Sequence, residues 1–292
     1  VSSVANKMKK LGNISIIGVG LIGGSLGMAL RKKKAASGVT GVGRNRARLR
    51  KAVRLGAVDS CTTDLRAGVR DADIIVIAAP VGVIQGIVSR ILPFLKKGCV
   101  ITDTGSTKKA LVADKIKPRF PNGIGFVGGH PLAGSQLGGV ANARSNLFIG
   151  TVCVLTPVPG TDRKALAAVK RMWESAGASV ELLSPAKHDE VLGLTSHLPH
   201  LVAVALVRSA LGAEGAQRFI AGGFRDTTRV ASSSGGMWRD IFVSNRAGVL
   251  KALKKFRSEI LRIEGLIKSG NGASLARILD SAKRSRDAVF KT

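Results

Sequence analysis

The sequence contains no tyrosine, and aromatic residues make up 4% of its 292 positions. That scarcity excludes the stacking platforms on which single-stranded nucleic acids are held. Acidic residues are also few, 18 Asp plus Glu against 46 Lys plus Arg, for a formal net charge of +28. Such a surface attracts anions without selectivity. The basic residues are scattered along helical segments, however, and runs such as RKKK at 31–34 are short. No dedicated nucleic-acid function is expected, whereas anionic small molecules are natural ligands. Cysteine is limited to Cys61, Cys99 and Cys153, odd in number, far apart and in no metal-ligand spacing. These read as free thiols of a reducing compartment, with no metal site. Long hydrophobic runs are lacking too: residues 14–30 and 191–207 are interrupted by Gly, Ser, Thr, Pro or His and fall short of the ~20 apolar residues of a bilayer span. The opening VSSVANKMKKLGN has no apolar core of a secretion signal. A cytoplasmic protein without a membrane segment is expected, starting at Val1 or Met8.

What is present is an alternation. Between Ile14 and Pro185 the runs ISIIGVG, VTGVG, DIIVIAAP, CVITDTG, IGFVGGHP, TVCVLTP and SVELLSP read as strands, with helical segments at 22–35, 45–55, 82–95, 107–116 and 162–176. Several runs are continuous and β-branched, as in strands covered on both faces. The pattern predicts an α/β fold with a doubly wound parallel sheet. After Pro185 the strands stop; helices are predicted at 186–208, 213–222, 237–268 and 273–288, with Gly-rich breaks at 222–224, 232–236 and 269–272. No repeat of solenoid period occurs. The predicted division is a nucleotide-binding domain over 10–184 and an all-helical domain over 185–292, of ordinary domain size. In the latter, GVLKALKKFRSEILRIEGLI (248–267) carries an apolar stripe at i, i+3, i+4 and i+7. A stripe of that kind needs a partner surface and predicts a homodimer.

Within ISIIGVGLIGGSLGMAL, Gly18, Gly20 and Gly23 form G-x-G-x-x-G between a strand and a helix. Gly18 permits the tight turn, Gly20 lets a pyrophosphate approach the backbone, and Gly23 lets the helix pack on the strand. The helix N-terminus, at Leu21 and Ile22, then faces the phosphates. The flanking strand and helix make this a dinucleotide site of Rossmann type. The second strand, VTGVGRNRARLR, offers Gly43 where an NAD site places an acid for the ribose hydroxyls. Arg44 can pair with a 2′-phosphate that a carboxylate would repel, while Asn45 can hydrogen-bond the hydroxyls of NAD. NADP is favoured over NAD.

Two of only four histidines fall in TSHLPH, residues 195–200. His197 and His200 share a helix face, and Pro199 frees the carbonyl of Thr195. On these six residues alone, a kinked buried helix with hydrogen-bonded core histidines is sufficient. The wider pattern adds more. GVGLIGGSLG (18–27), TDTGSTK (102–108), GGHPLAGSQLGGVANARSNLFIG (128–150), SHLPH (196–200) and GGFRDTTRVASSSGGMWRDIF (222–242) together resemble the prephenate/arogenate dehydrogenase family of tyrosine biosynthesis, over nearly the whole chain and in the family's order.

The resemblance implies a Rossmann domain, a helical dimerisation domain, and the oxidative decarboxylation of prephenate or arogenate with hydride transfer to NAD(P)+. It implies that His130 takes the proton of the substrate C4 hydroxyl, as an imidazole can near neutral pH, and that Ser106 orients that hydroxyl. His200 would bind substrate, and His197 would contact it or support the site from behind. Arg229 would hold a carboxylate in a bidentate pair. Asp226 and Trp238 would gate or line the cleft, from their own or the partner subunit. His188 is read as structural. Neither a chorismate mutase segment nor an ACT domain fits outside residues 14–288, which implies a monofunctional enzyme. Two other readings are a reductase of the imine or β-hydroxyacid type, which does not need the GGHP, SHLPH and FRDTTR set, and a basic nucleotide-binding protein that keeps the fold without catalysis.

Overall fold

Alternate residues of each short apolar run point to opposite faces of one sheet, and both faces are covered at its central strands. The computed structural model describes residues 10–112, 116, 120–135, 137–212 and 214–290; Val1 and Met8, part of the segment predicted as a helix over 107–116, and Gln136 lie outside them. Among these residues the sheet has eight strands: β1 (Asn13–Ile17), β2 (Gly38–Val42), β3 (Ser60–Thr62), β4 (Ile74–Ile77), β5 (Val100–Asp103), β6 (Gly125–Pro131), β7 (Val152–Thr156) and β8 (Ser179–Leu182). Their order is β3-β2-β1-β4-β5-β6-β7-β8. In β4, Ile74 and Val76 enter one core, with Leu26, Leu30 and Trp173. Ile75 and Ile77 enter the other, with Ile84, Ile91 and Phe126. A period of two explains the division.

Among the described residues six helices flank the sheet: α1 (Leu21–Lys32), α2 (Arg46–Arg54), α3 (Leu65–Val69), α4 (Val81–Ile91), α5 (Lys109–Val112) and α6 (Arg163–Ser175). Side-chain caps set several starts, since an oxygen at the N-cap satisfies an otherwise unpaired N–H: Asp64 for α3 and Asp162 for α6. The sheet departs from the predicted all-parallel form at one place. β7 runs antiparallel to β6, because among the described residues the segment 132–151 between them holds only a 3-10 turn and no crossover helix of the kind a parallel pair requires. β3 and α3 were not predicted; each is five residues or fewer, too short to show periodicity.

The helical part comprises α7 (Pro185–Leu192), α8 (Leu198–Leu211), α9 (Gly222–Thr228), α10 (Gly235–Ser244), α11 (Arg246–Lys268) and α12 (Gly272–Phe290). A π-helical turn, Gly193–His197, joins α7 to α8, so the kink expected at Pro199 is a local widening of the helix. Three predicted bounds change. Of the helix predicted over 213–222, Ala213 lies outside the described residues and 214–221 hold one 3-10 turn, Ala216–Phe219. The Gly-rich 222–224 begins α9 instead of breaking the chain. The 237–268 helix divides at Asn245, whose side chain is drawn inward to Asp189 and His197. The continuous run Pro185–Leu211 is also long and apolar enough, by length and composition, to cross a membrane, contrary to the expectation from residues 191–207. It carries His188, Asp189, His197 and His200, all buried, and α7 packs on α5 and α11.

Candidate active site

The first crevice opens at the carboxyl ends of β1, β2 and β4, the switch point at which an open α/β sheet binds its ligand. It has a volume of about 650 Å³, and its lining includes Gly18, Gly20, Gly43, Arg44, Asn45 and Ala78. Gly18 has φ +97°, and a Cβ there would strike the carbonyl of Ala78; a Cβ on Gly23 would strike the carbonyl of Gly18. A Cβ on Gly20 would instead enter open space. α1 has no side-chain cap and no acid in its first turn, so its leading N–H groups remain available to an anion. The crevice thus fits a pyrophosphate. Leu21 and Ile22 are half-buried and pack their side chains against the core, so the polar groups they offer a ligand are those of the backbone. Asn45 lines the crevice, but its Oδ1 accepts the Arg48 N–H at 2.9 Å and caps α2; an acceptor thought open to a ribose is engaged in the helix start. Arg48 and Lys51 join Arg44 at the same wall. Neither stood out in the sequence, because one turn of α2 is needed to bring them beside Arg44.

The second cleft, of about 480 Å³, contains His130, Ser135, Thr195, Ser196, Arg229 and Trp238 in its wall. Residues 130–135, from the end of β6, line the cleft, and residues 138–141 line the crevice. His130 stands at the end of β6, paired in register with Val154 of β7. Its Nδ1 lies 2.9 Å from Nε2 of His188, and Nδ1 of His188 lies 2.8 Å from Oδ1 of Asp189. His188, read from the sequence as structural, is fully buried and lies within hydrogen-bond distance of the candidate base. Burial lowers the His130 pKa well below the ordinary histidine value, and the neighbouring His188, Lys108 and His197 lower it further. Lys108 is itself buried and ion-paired with the buried Asp103. Asp103 also accepts the N–H groups of Gly105 (2.7 Å) and Gly129 (3.2 Å).

The helical elements close over this corner. Asp189 accepts the backbone N–H groups of Lys108 and Lys109, and Thr107 Oγ1 meets Ser244 Oγ at 2.9 Å. Ser106 is half-buried between them, with its backbone against the His197 ring. Asn245 Nδ2 donates to His197 Nδ1 at 3.0 Å and to the Asp189 carbonyl at 2.7 Å. Burial brings the His197 pKa down to about 4, against the opposing Asp189 carboxylate. His200 is 4% exposed, and its ring stacks on Trp238 at 3.6 Å between centroids. Trp238 lies in the described cleft wall, and His200 stands behind it. Asp226 is exposed on α9 and is not part of the described cleft wall. Among the described residues no cluster of His, Cys, Asp or Glu has the grouping of a metal site.

A dinucleotide crevice beside a cleft whose histidine has its pKa held well below the ordinary value is the arrangement of a nicotinamide-dependent dehydrogenase, in which hydride and proton leave one carbinol in different directions. Comparison with known proteins narrows the class. Residues 26–182 match the family model "Prephenate dehydrogenase, nucleotide-binding domain" and residues 184–281 match "Prephenate dehydrogenase, dimerization domain". The chain belongs to the prephenate dehydrogenase family. A prephenate dehydrogenase of Bacillus subtilis (strain 168) is 35% identical over 291 residues, spanning 97% of this chain and 77% of its own. The crystal structure of prephenate dehydrogenase from A. aeolicus, in complex with hydroxyphenyl propionate and NAD+, matches with a TM-score of 0.90 at 36% identity, over 97% of this chain and 100% of that one. Synechocystis arogenate dehydrogenase matches at 0.81 and 31%, over 95% and 100%.

Proposed function

We propose that this protein oxidatively decarboxylates prephenate, or arogenate, with NAD(P)+ as hydride acceptor. The observation that carries the reading is the placement of His130 in a cleft that also presents Arg229, beside the nucleotide crevice, where burial and its neighbours lower its pKa. A bound nicotinamide would supply the acceptor for the hydride of the substrate C4. His130 takes the C4 hydroxyl proton, and Ser106 orients that hydroxyl. Arg229, exposed at the cleft wall, holds a carboxylate. Trp238 Nε1 and His200 Nδ1 are buried without a hydrogen-bond partner, which is rare in native interiors and supports a polar ligand over their stacked rings. His197 supports the site from behind, through Asn245, and Asp226 acts at the cleft of the partner subunit. The test is purified protein with prephenate and then arogenate, each with NAD+ and NADP+, followed by nicotinamide absorbance. Reduction in at least one pair is expected; none in all four overturns the reading.

NADP+ is the favoured cofactor in this proposal. Its support is the wall formed by Arg44, Arg48 and Lys51, with Gly43 where an acid would repel a 2′-phosphate. Arg44→Ala should raise KM for NADP+ roughly tenfold, the worth of one charge-assisted hydrogen bond, with NAD+ almost unaffected. Equal losses for both cofactors would reduce Arg44 to general electrostatics.

We also propose a homodimer through the helical domain, which we take to begin at 185. Leu250, Ile260, Leu261 and Ile267 of α11 are exposed, α12 buries no residue, and only 28% of the apolar window in Pro185–Leu211 is buried within the chain. Exposed apolar area on this scale marks an interaction surface. Sedimentation at micromolar concentration should give twice the 30.4 kDa chain mass; a monomer would count against it. With three free thiols, we place the protein in the cytoplasm, its anionic partners being cofactor and substrate rather than nucleic acid.

A further inference from the structure

His188 is 0% exposed, where a polar ring is costly unless its nitrogens are hydrogen-bonded. Both are bonded, and the direction of the bonds is forced from one end. Asp189 accepts from the backbone N–H of Lys108 at 2.8 Å on Oδ1 and of Lys109 at 3.0 Å on Oδ2. Backbone donors cannot reverse, and a carboxylate so placed has only acceptor capacity to offer. His188 must then donate to it from Nδ1, which leaves Nε2 of His188 as an acceptor. His130 in turn donates from Nδ1, so its Nε2 is the bare nitrogen. A histidine's tautomer is set by the bond its other nitrogen makes.

We propose that His188 and Asp189 act as positioning residues and a proton relay for His130, fixing it with Nε2 free and receiving the charge it acquires during turnover. The relay rests on the oxidative-decarboxylation reading, whereas the tautomer does not. In the step itself the substrate O–H bond breaks and an Nε2–H bond forms on His130. The Nδ1 proton of His130 shifts to Nε2 of His188, leaving an imidazolium against the Asp189 carboxylate. The C4–H electron pair departs as hydride to the oxidised nicotinamide. The pair of the ring carbon–carboxylate bond enters the ring as carbon dioxide leaves, and the resulting phenolate oxygen recovers the proton by the same path reversed. No proton is gained or lost overall.

The surroundings explain why His130 needs such help. Asp103 from the end of β5, Lys108 just before α5, His197 from the π-helical turn, His188 and Asp189 from α7 and the buried Cys153 thiol of β7 lie around it. Burial, His188, Lys108 and His197 all disfavour a cation on His130 itself. Asp189 is the anion that His188 touches, and a charge moved one ring back reaches it.

Two variants and one spectrum test the relay. His188→Gln retains an acceptor for His130 Nδ1–H but cannot carry a proton; His188→Leu removes both functions. Gln should lower kcat by about tenfold to a hundredfold, the scale on which partners of a functional histidine act, with KM nearly unchanged, and Leu should lower it further. NADPH or NADH affinity should be retained in both, reporting an intact fold. With only four histidines in the chain, ring ¹⁵N NMR reads the tautomers directly: in the unmutated protein His130 should be protonated on Nδ1 and bare on Nε2, and in the Leu variant the two tautomers should mix. Native His130 protonated on Nε2 at neutral pH, or a Leu variant with native kcat, overturns the proposal. Should the unmutated protein turn over neither substrate, the reaction reading fails instead, and the spectra alone decide whether His188 and Asp189 set the tautomer.

Discussion

Replacing His130 by Ala or Asn lowers kcat by about two to four orders of magnitude, the usual worth of a positioned general base, and leaves cofactor affinity little changed. The two effects separate because His130 lines the cleft and not the nucleotide crevice. Asn retains hydrogen-bonding groups but no basic nitrogen, so its loss should approach that of Ala. In the unmutated enzyme the pH profile carries the same information. The His130 pKa is lowered, so the base form persists as pH falls past the ordinary histidine value of about 6.5. The acid limb of kcat/KM should therefore lie below that value and vanish in the variants. Near-native turnover of His130→Ala would remove this residue from the mechanism; an acid limb above the ordinary value would show that a group other than a buried neutral imidazole controls it.

Lys108→Met should be the most damaging single change to stability among the site's supporting residues. Both members of the Lys108–Asp103 pair are 0% exposed, and removing one partner of a buried pair costs about 3–5 kcal/mol because the other charge is left uncompensated. For a chain of this length the apparent Tm should fall on the order of 10 °C. Lys108→Met with Asp103→Leu should recover part of the loss, since no buried ion remains. Recovery stays partial because Asp103 also satisfies the N–H groups of Gly105 and Gly129. A Tm unchanged in the single variant would mean that the pair is not held buried in solution. A variant that remains folded should also show its acid limb moved upward, because Lys108 is one of the charges that depress the His130 pKa.

The dinucleotide crevice was legible early because its parts are contiguous. Gly18, Gly20 and Gly23 lie within one strand–turn–helix, and the tight turn, the open approach and the close packing are local demands met by adjacent residues. The continuous β-branched runs reported a sheet covered on both faces for the same reason: burial of β4 on two sides is written in four consecutive apolar residues. Asn45 shows where local reading reaches its limit. Its type suited both a ribose and a helix cap, and only the path of the chain into α2 showed its Oδ1 to be engaged in the cap.

The candidate base shows the same limit more strongly. His130 and His188 are 58 positions apart, and Asn245 reaches His197 across 48; no spacing rule connects such pairs. His188 resembled any core histidine until α7 was placed on the loop after β5. By itself the sequence determined the alternation of strands and helices, the nucleotide turn and the set of histidines available, because periodicity and glycine sterics act over a few residues. The tertiary structure alone decided that β7 runs antiparallel, that His200 lies beneath Trp238 and that His188 and Asp189 stand behind His130. Those outcomes depend on packing between segments far apart in the chain, where hydrogen-bond direction and burial are set by neighbours that the local sequence does not name.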